Sequence, residues 1–230
     1  MSTDDTTSTT VDGTSMAFVA NKKKDSWRTP PALYEPIAEA VDGIDLDPCA
    51  GPPGDRLELP GDAEPADDLP PTEIADRNIM PWEDGLSIRW NADDVFVNPP
   101  FSDVEEWLAT AIGAWVAGDA GRVFFVTAAN TGTLSWYHRW IASFASVTYF
   151  TGPRQNYIDP ETGELASGVS FNTAVSVFGE IPESLAEYWK EEGDLVVRPW
   201  NAGGIVADAP TEDEETEQDT LGDEGAEGSA

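Results

Sequence analysis

A strand, a proline turn and a helix follow one another without a break in the middle of the chain. The compact apolar residues of Asp94–Val97 predict a buried strand. Asn98–Pro99–Pro100–Phe101 comes directly after it, and Ser102 and Glu105 then form a capping-box pair that predicts the start of an amphipathic helix. A strand that leads straight into a helix is the building unit of an α/β fold.

The same alternation runs along most of the chain. Thr29 and Pro30 predict a helix start, Gly43 predicts its end, and the strand-like run Ile44–Asp47 follows. The later predicted elements are strand Arg122–Val126, helix Ser135–Phe144, strand Val147–Phe150, strand Val169–Phe178, helix Pro182–Lys190 and strand Leu195–Val197. Residues 55–85 are acidic and rich in proline, which predicts a long surface connection. Together these elements predict an α/β fold with a mostly parallel sheet and helices on both faces.

The composition excludes several kinds of site. The chain has one cysteine, Cys49, and one histidine, His138, so it can form neither a disulfide framework nor a zinc site of several Cys or His ligands. No apolar run approaches the ~20 residues that span a bilayer, and the first 20 residues do not resemble a signal peptide. We therefore expect a soluble cytoplasmic protein with neither a metal site nor a membrane contact.

The net charge of −32 sets a second constraint. The ends predict a flexible N-terminal arm over residues 1–23 and an acidic disordered tail over residues 208–230, on either side of one domain at 24–207. Acidic ends do not account for the charge, because residues 21–207 still hold 31 acids against 12 bases. A nucleic-acid mimic is one interpretation. The composition favours another, adaptation to molar intracellular salt, in which an acidic surface keeps a protein hydrated and charge repulsion is screened.

Asn98–Pro99–Pro100–Phe101 carries the clearest chemistry. Ligands of open α/β sheets bind at the carboxyl ends of the strands, where this motif is predicted to lie. The Asn98 side-chain carbonyl and the Pro99 backbone carbonyl can both accept from one planar amino group, while Phe101 can stack on a flat heterocycle. Such a site suits an amine whose lone pair is delocalised into a ring, because two acceptors on its hydrogens raise the electron density on nitrogen and guide it toward an electrophile. The alternative is a rigid turn that only ends a strand.

A second loop follows the first predicted strand. The segment from Asp47 to Gly54 contains small residues and is rich in Pro and Gly. A ligand can therefore approach its backbone closely. It matches neither the dinucleotide fingerprint nor a phosphate-binding loop. Asp47 at the strand tip suits a ligand with a positive α-amino group. An ordinary Pro/Gly loop is the alternative.

Taken in order, these motifs give residues 24–180 a resemblance to the phage-type DNA N6-adenine methyltransferases. The matching segments are Trp27-x-Thr29-Pro30, Leu46–Asp47 with Cys49–Ala50, Asp84–Gly85–Leu86 with Trp90, Asn98–Phe101, Ser135–His138, Gly152–Arg154 and Ser170–Phe178. The resemblance implies a Rossmann-like methyltransferase fold, S-adenosylmethionine as methyl donor and adenine in double-stranded DNA as acceptor. It also implies that the adenine is flipped out of the duplex.

The resemblance also assigns roles to residues. It implies catalytic roles for Asn98, Pro99, Pro100 and Phe101. It further implies a donor-binding site made of Trp27, Thr29, Pro30, Asp47, Cys49, Ala50 and Gly51. Asn98 stands where the commoner residue is Asp and Phe101 where it is Tyr. The acid that would hold the donor ribose has no clear match, with Asp62 and Glu64 as candidates, and Asp84 has a matching position without an assigned contact.

Basic residues predict where DNA could be contacted. Lys22, Lys23, Lys24 and Arg28 form the one basic cluster of the sequence, and Arg154 begins the polar loop 152–168, which we expect to read the target site. A solvated arm and a surface salt bridge are the respective alternatives.

Two other functions stay open on the sequence. The same donor could serve a different planar amine, such as adenine in RNA or a protein glutamine. The chain could also be a non-enzymatic acidic DNA mimic or binding protein on a decayed methyltransferase fold.

Overall fold

A central sheet lies between two layers of helices. The structure, a computed structural model, describes residues 27–53, 66–67, 69, 72–100, 102–132, 134–152, 155, 157–164, 172–198, 201 and 203–206. The strands are β1 (Leu46–Asp47), β2 (Arg77–Asn78), β3 (Ala92–Val97), β4 (Ala120–Ala128), β5 (Val147–Thr151), β6 (Thr173–Pro182), β7 (Gly193–Val197) and β8 (Gly203–Val206). The helices are α1 (Pro31–Ala40), α2 (Val104–Ala117), α3 (Ala142–Phe144) and α4 (Glu183–Glu192), with a π-helical turn at Tyr137–Ile141 before α3.

The strands follow the order β2-β1-β3-β4-β6-β5-β7, and β8 pairs with β6. Strands β1 to β4 are mutually parallel. Strand β6 is antiparallel to both β4 and β5, and β7 is antiparallel to β5. The predicted α/β fold is therefore confirmed, with a sheet whose first half is wholly parallel and whose second half contains reversed strands.

Successive side chains of the strands point to opposite faces of the sheet and pack into two separate apolar cores. Val95 and Val97 face α2 and belong to one apolar cluster, whereas Phe96 belongs to the other cluster with residues of α1 and α4. This period-two pattern is what a strand covered on both faces requires. Helices thus pack on both sides of the sheet, as the sequence predicts. Within the described residues, no helix is long and apolar enough to cross a membrane.

Predictions about local structure were wrong at residues 55–85 and at the start of α2. The stretch 55–85 is not only a surface connection, because it contributes strand β2, and Ile79, Met80 and Gly85 beyond that strand are buried. The capping box at Ser102 and Glu105 does not form. Helix α2 begins at Val104 without a side-chain cap, and Glu105 instead accepts hydrogen bonds from Arg139 and from Trp140. An interhelical contact has replaced the local one.

Candidate active site

The site lies where the order of strands reverses. From β1 the chain goes first to β2 on one side and then crosses to β3 on the other side of β1. Asp47 is paired with Asn78, and Leu46 is paired with Val95, so the residues after Asp47 and after Val97 leave the sheet at the same edge. Such a switch point opens a crevice at the carboxyl ends of the strands, which is where open α/β sheets bind their ligands.

Asn98 is held in a fixed orientation at this edge. Its Nδ2 donates a hydrogen bond of 2.8 Å to Thr29 Oγ1, on the segment that precedes α1. Because the amide nitrogen is used in this way, the carbonyl oxygen Oδ1 is left as the acceptor on the other arm of the planar amide. Pro99, the next residue, is buried. The structure therefore brings together Thr29 and Asn98, two residues that the sequence assigned to different parts of the site.

Asp47 begins the loop that we call the donor turn, residues 47–53. Its carboxylate is buried and accepts a hydrogen bond of 3.0 Å from the backbone N–H of Cys49. Burial raises the pKa of Asp47 from 3.8 to about 7, although the hydrogen bond from Cys49 works in the opposite direction. The carboxyl group is thus poised to change its charge near neutral pH.

Cys49 links the donor turn to the strand end that carries Asn98. Burial raises the pKa of its thiol well above the ordinary value, and the Asp47 carboxylate adds to this effect, whereas a hydrogen bond with the Asn98 backbone opposes it. The group therefore stays a neutral thiol that packs between the two loops. Ala50, the next residue, is buried, so small side chains line this part of the turn.

Arg28 packs against the donor turn. Its side chain is buried, and its Nη2 donates to the backbone carbonyl of Pro52 in the donor turn. A Cβ atom at Gly51 would lie only 2.5 Å from Arg28 Nη1, so glycine at this position lets the guanidinium lie close against the turn. Burial lowers the pKa of Arg28. This position does not support a direct contact of Arg28 with a DNA phosphate.

The segment before α1 is fastened to a distant loop. Arg28 and Ile158 form an antiparallel bridge, with backbone hydrogen bonds of 3.0 Å and 3.2 Å. Beside it the rings of Trp27 and Tyr157 are stacked with centroids 6.2 Å apart. Tyr157 is buried, which raises its pKa to about 12. Part of the loop expected to read DNA therefore serves to hold residues 27–29 against the donor turn.

Asp84, which the sequence left without a contact, shapes a turn behind the site. Its carboxylate accepts hydrogen bonds from the backbone N–H of Leu86 and from the Ser87 hydroxyl. Trp90 is buried and donates to the Gly85 carbonyl at 3.0 Å. Gly85 in turn packs directly on the backbone of Pro48 in the donor turn. The role of this segment is to support the donor turn from beneath.

Several predicted residues fall outside this account. Lys22, Lys23, Lys24, Asp62, Glu64, Phe101 and Arg154 lie outside the described residues. Pro30, which was predicted to line the donor site, is buried at the start of α1, and Pro100 is half-buried. His138 is exposed, with its ring against Tyr137. In the described parts of the chain, no group of three or more His, Cys, Asp or Glu residues is arranged to hold a metal ion.

Sequence reasoning missed the contacts of Arg28, Tyr157 and Gly85. An isolated arginine beside a lysine run looks like a surface residue, and nothing local to Tyr157 signals its partner. Gly85 alone carried a signal, because a glycine between Asp84 and Leu86 in an otherwise compact turn can mark a close approach of backbones.

The fold and the switch-point site define a class of α/β proteins that bind a small ligand at the carboxyl edge of the sheet. Residues 71–199 match the family model described as DNA N-6-adenine-methyltransferase (Dam). The match covers more than half of the chain, and the protein belongs to this family. The matched segment includes Asn98–Phe101 and Asp84–Trp90 but not the donor turn. No curated protein and no solved structure matches the chain.

Proposed function

We propose that the protein transfers a methyl group from S-adenosylmethionine to N6 of an adenine flipped out of double-stranded DNA. The observation that carries the proposal is Asn98, fixed by Thr29 at the switch point between β1 and β3. Membership of the adenine-methyltransferase family supports the same reaction. The α/β sheet and membership of this family together favour a Rossmann-like methyltransferase fold.

The acceptor chemistry follows from the two carbonyl groups. The amino group of adenine is a weak nucleophile because its lone pair is delocalised into the ring. When Asn98 Oδ1 and the Pro99 backbone carbonyl accept hydrogen bonds from its two hydrogens, electron density on the nitrogen rises and the nitrogen is aimed in one direction. Phe101 is proposed to stack on the base. Neither step calls for a metal ion or a strong base.

The residues of the donor turn fit S-adenosylmethionine in two respects. The donor supplies an electrophilic methyl group on a sulfonium, together with an amino-acid end that carries both charges. Gly51 has no side chain and the buried Ala50 has a small one, so a ligand can approach the backbone of the turn. Asp47 can pair its carboxylate with a positive amino group. We propose that Asp47, Cys49, Ala50 and Gly51 bind the donor together with Trp27, Thr29 and Pro30.

The DNA contacts are proposed from charge and position. Lys22, Lys23 and Lys24 supply cations for phosphates, and Arg154 supplies another in the loop 152–168. Since the cations are few, we propose that base stacking, hydrogen bonds and shape contribute more to binding than charge does.

The test is the variant Asn98→Ala. Labelled S-adenosylmethionine and unmethylated genomic DNA are incubated with each protein, and modified adenines are mapped. We expect the wild type to methylate adenine at defined sites. The variant should lose at least about a hundredfold in rate, because one of two oriented acceptors is gone. Its donor affinity, measured by calorimetry, should stay within about threefold.

Thr29 provides a second variant that distinguishes orientation from contact. Thr29→Val removes the hydroxyl that holds Asn98 Nδ2, so we expect its methylation rate to lie between those of the wild type and Asn98→Ala. Thr29→Ser keeps the hydroxyl and should methylate at the rate of the wild type. Full turnover in Asn98→Ala would overturn the assignment of the site. Methylation of RNA or of a glutamine peptide, with no methylation of DNA, would overturn the acceptor.

A further inference from the structure

Arg28 is a buried cation without a carboxylate partner among the described residues. Only 4% of its surface is exposed. Among the described residues, its guanidinium donates to one acceptor, the neutral Pro52 carbonyl, and its Nε has no acceptor. Three other arginines each pair with an acid: Arg89 with Asp119, Arg122 with Asp94, and Arg139 with Glu105. The chain has 44 acids for 12 bases, so carboxylates are plentiful. A buried charge is stable only when something compensates it.

The guanidinium is also fixed in place. The backbone of Arg28 is hydrogen-bonded to Ile158, its Nη2 donates to the Pro52 carbonyl, and its Nη1 lies 2.5 Å from where a Cβ atom at Gly51 would stand. The charge cannot swing out to solvent without breaking these contacts. It therefore lies against the turn that is proposed to bind the donor.

We propose that Arg28 binds the carboxylate at the amino-acid end of the methyl donor. The inference rests on the proposed function, since it takes S-adenosylmethionine as the ligand. A guanidinium presents N–H groups in a planar fork that matches a carboxylate. Asp47, at the beginning of the same turn, supplies the opposite charge for the neighbouring amino group. The donor turn is thus bounded by one buried acid and one buried base, complementary to a zwitterion.

The decisive probe is decarboxylated S-adenosylmethionine, which keeps the adenosine, the sulfonium and the amino group but lacks the carboxylate. Calorimetric titration of the full chain without DNA, at one fixed KCl concentration, gives the affinity for each ligand. We expect the wild type to bind the decarboxylated compound roughly ten- to a hundredfold more weakly than the donor. Arg28→Met should bind both compounds with about equal affinity, because the group that distinguishes them is gone.

Two further variants serve as controls. Arg198→Met removes another buried arginine, which donates to Thr148 at 2.8 Å and to Tyr137 at 3.2 Å, and it should keep the full preference for the carboxylate. Arg28→Lys keeps the charge but not the fork and should show a reduced preference. If Arg28→Met does not fold, the wild type and Arg28→Lys still decide the question.

The outcomes separate this inference from the proposed function. Equal affinity of the wild type for the two compounds would overturn it, and would indicate that an acid of the protein itself compensates Arg28. An undiminished preference in Arg28→Met or Arg28→Lys would overturn it as well. If the wild type binds no S-adenosylmethionine at all, the proposed function fails and the inference falls with it.

Discussion

Asp47 is a carboxyl group held out of water at the end of β1, and its proton should be visible in the stability of the protein. Its pKa is about 7 in the folded chain and near 3.8 when unfolded. Between these values the folded protein keeps a proton that the unfolded chain has lost. The contribution of Asp47 to stability is therefore fully present below pH 4 and is lost as the pH rises to 7, by up to about 1 kcal/mol per pH unit.

The variant Asp47→Asn tests this pH dependence. An amide cannot ionise, but its oxygen can still accept from the Cys49 N–H. We expect the free energy of unfolding of the variant, relative to the wild type, to rise from pH 4 to 7 and to be constant above pH 7. Urea titrations at fixed KCl measure it. Two parallel curves across this range would mean that the pKa of Asp47 is not raised.

At the scale of the element, Gly85 shows how the turn before β3 supports the donor turn. A Cβ atom there would overlap the Pro48 carbonyl oxygen and press on the Trp107 ring, so Gly85→Ala must push two backbones apart. We expect a destabilisation of about 2 kcal/mol, measured by urea unfolding, and weaker donor binding.

Gly113 in α2 is the matched control. No atom lies within 4 Å of a Cβ built at this residue, and it lies inside a helix. Gly113→Ala should therefore raise the free energy of unfolding by up to about 1 kcal/mol through helix propensity alone. If the two variants changed stability alike, the packing of Gly85 against Pro48 would not be the cause.

The elements that the sequence predicts well are those whose pattern directly reflects burial. Strands β3 and β4 are recovered to within two residues at each end, and helix α2 begins within two residues of its predicted start, because apolar spacing follows the sheet and helix periods. Strand β2 was missed because its two residues are not buried and carry no apolar pattern.

The candidate site was predictable in part. The positions of Asn98 and Asp47 at neighbouring strand ends follow from topology. The role of Thr29 does not. The sequence predicts Thr29 as a helix cap, whereas its hydroxyl accepts from Asn98 and α1 begins without a side-chain cap. A contact between residues so far apart in the chain leaves no trace in local spacing, and the same is true of Arg28 and Pro52.

Charge is the property that matters most for the molecule as a whole. The net charge is −32, and three ion pairs join residues in the described part of the chain. Most acids therefore repel one another without a cation to compensate them. In molar salt the Debye length falls to ~3 Å, which screens this repulsion. We propose that the protein works in a cytoplasm with molar salt, in its host cell if a virus encodes it.

This proposal predicts an unusual dependence on salt. Both the free energy of unfolding and the methylation rate should rise from 0.1 M to molar KCl. DNA affinity should fall with salt less steeply than for basic DNA-binding proteins, since few phosphates are neutralised. Urea titration, methylation assays and DNA binding over a KCl series measure the three quantities. An activity that is highest in dilute buffer and lost in molar KCl would contradict the proposal.

The bridge between Arg28 and Ile158 also has a consequence for how the protein is made. Residues 27–29 leave the ribosome well before their partner at Ile158, which is synthesised only after β1 to β5. Residues 27–29 therefore cannot form this bridge until the loop that follows β5 has been synthesised. The proposed binding of the methyl donor can therefore begin only once synthesis has passed the loop that follows β5.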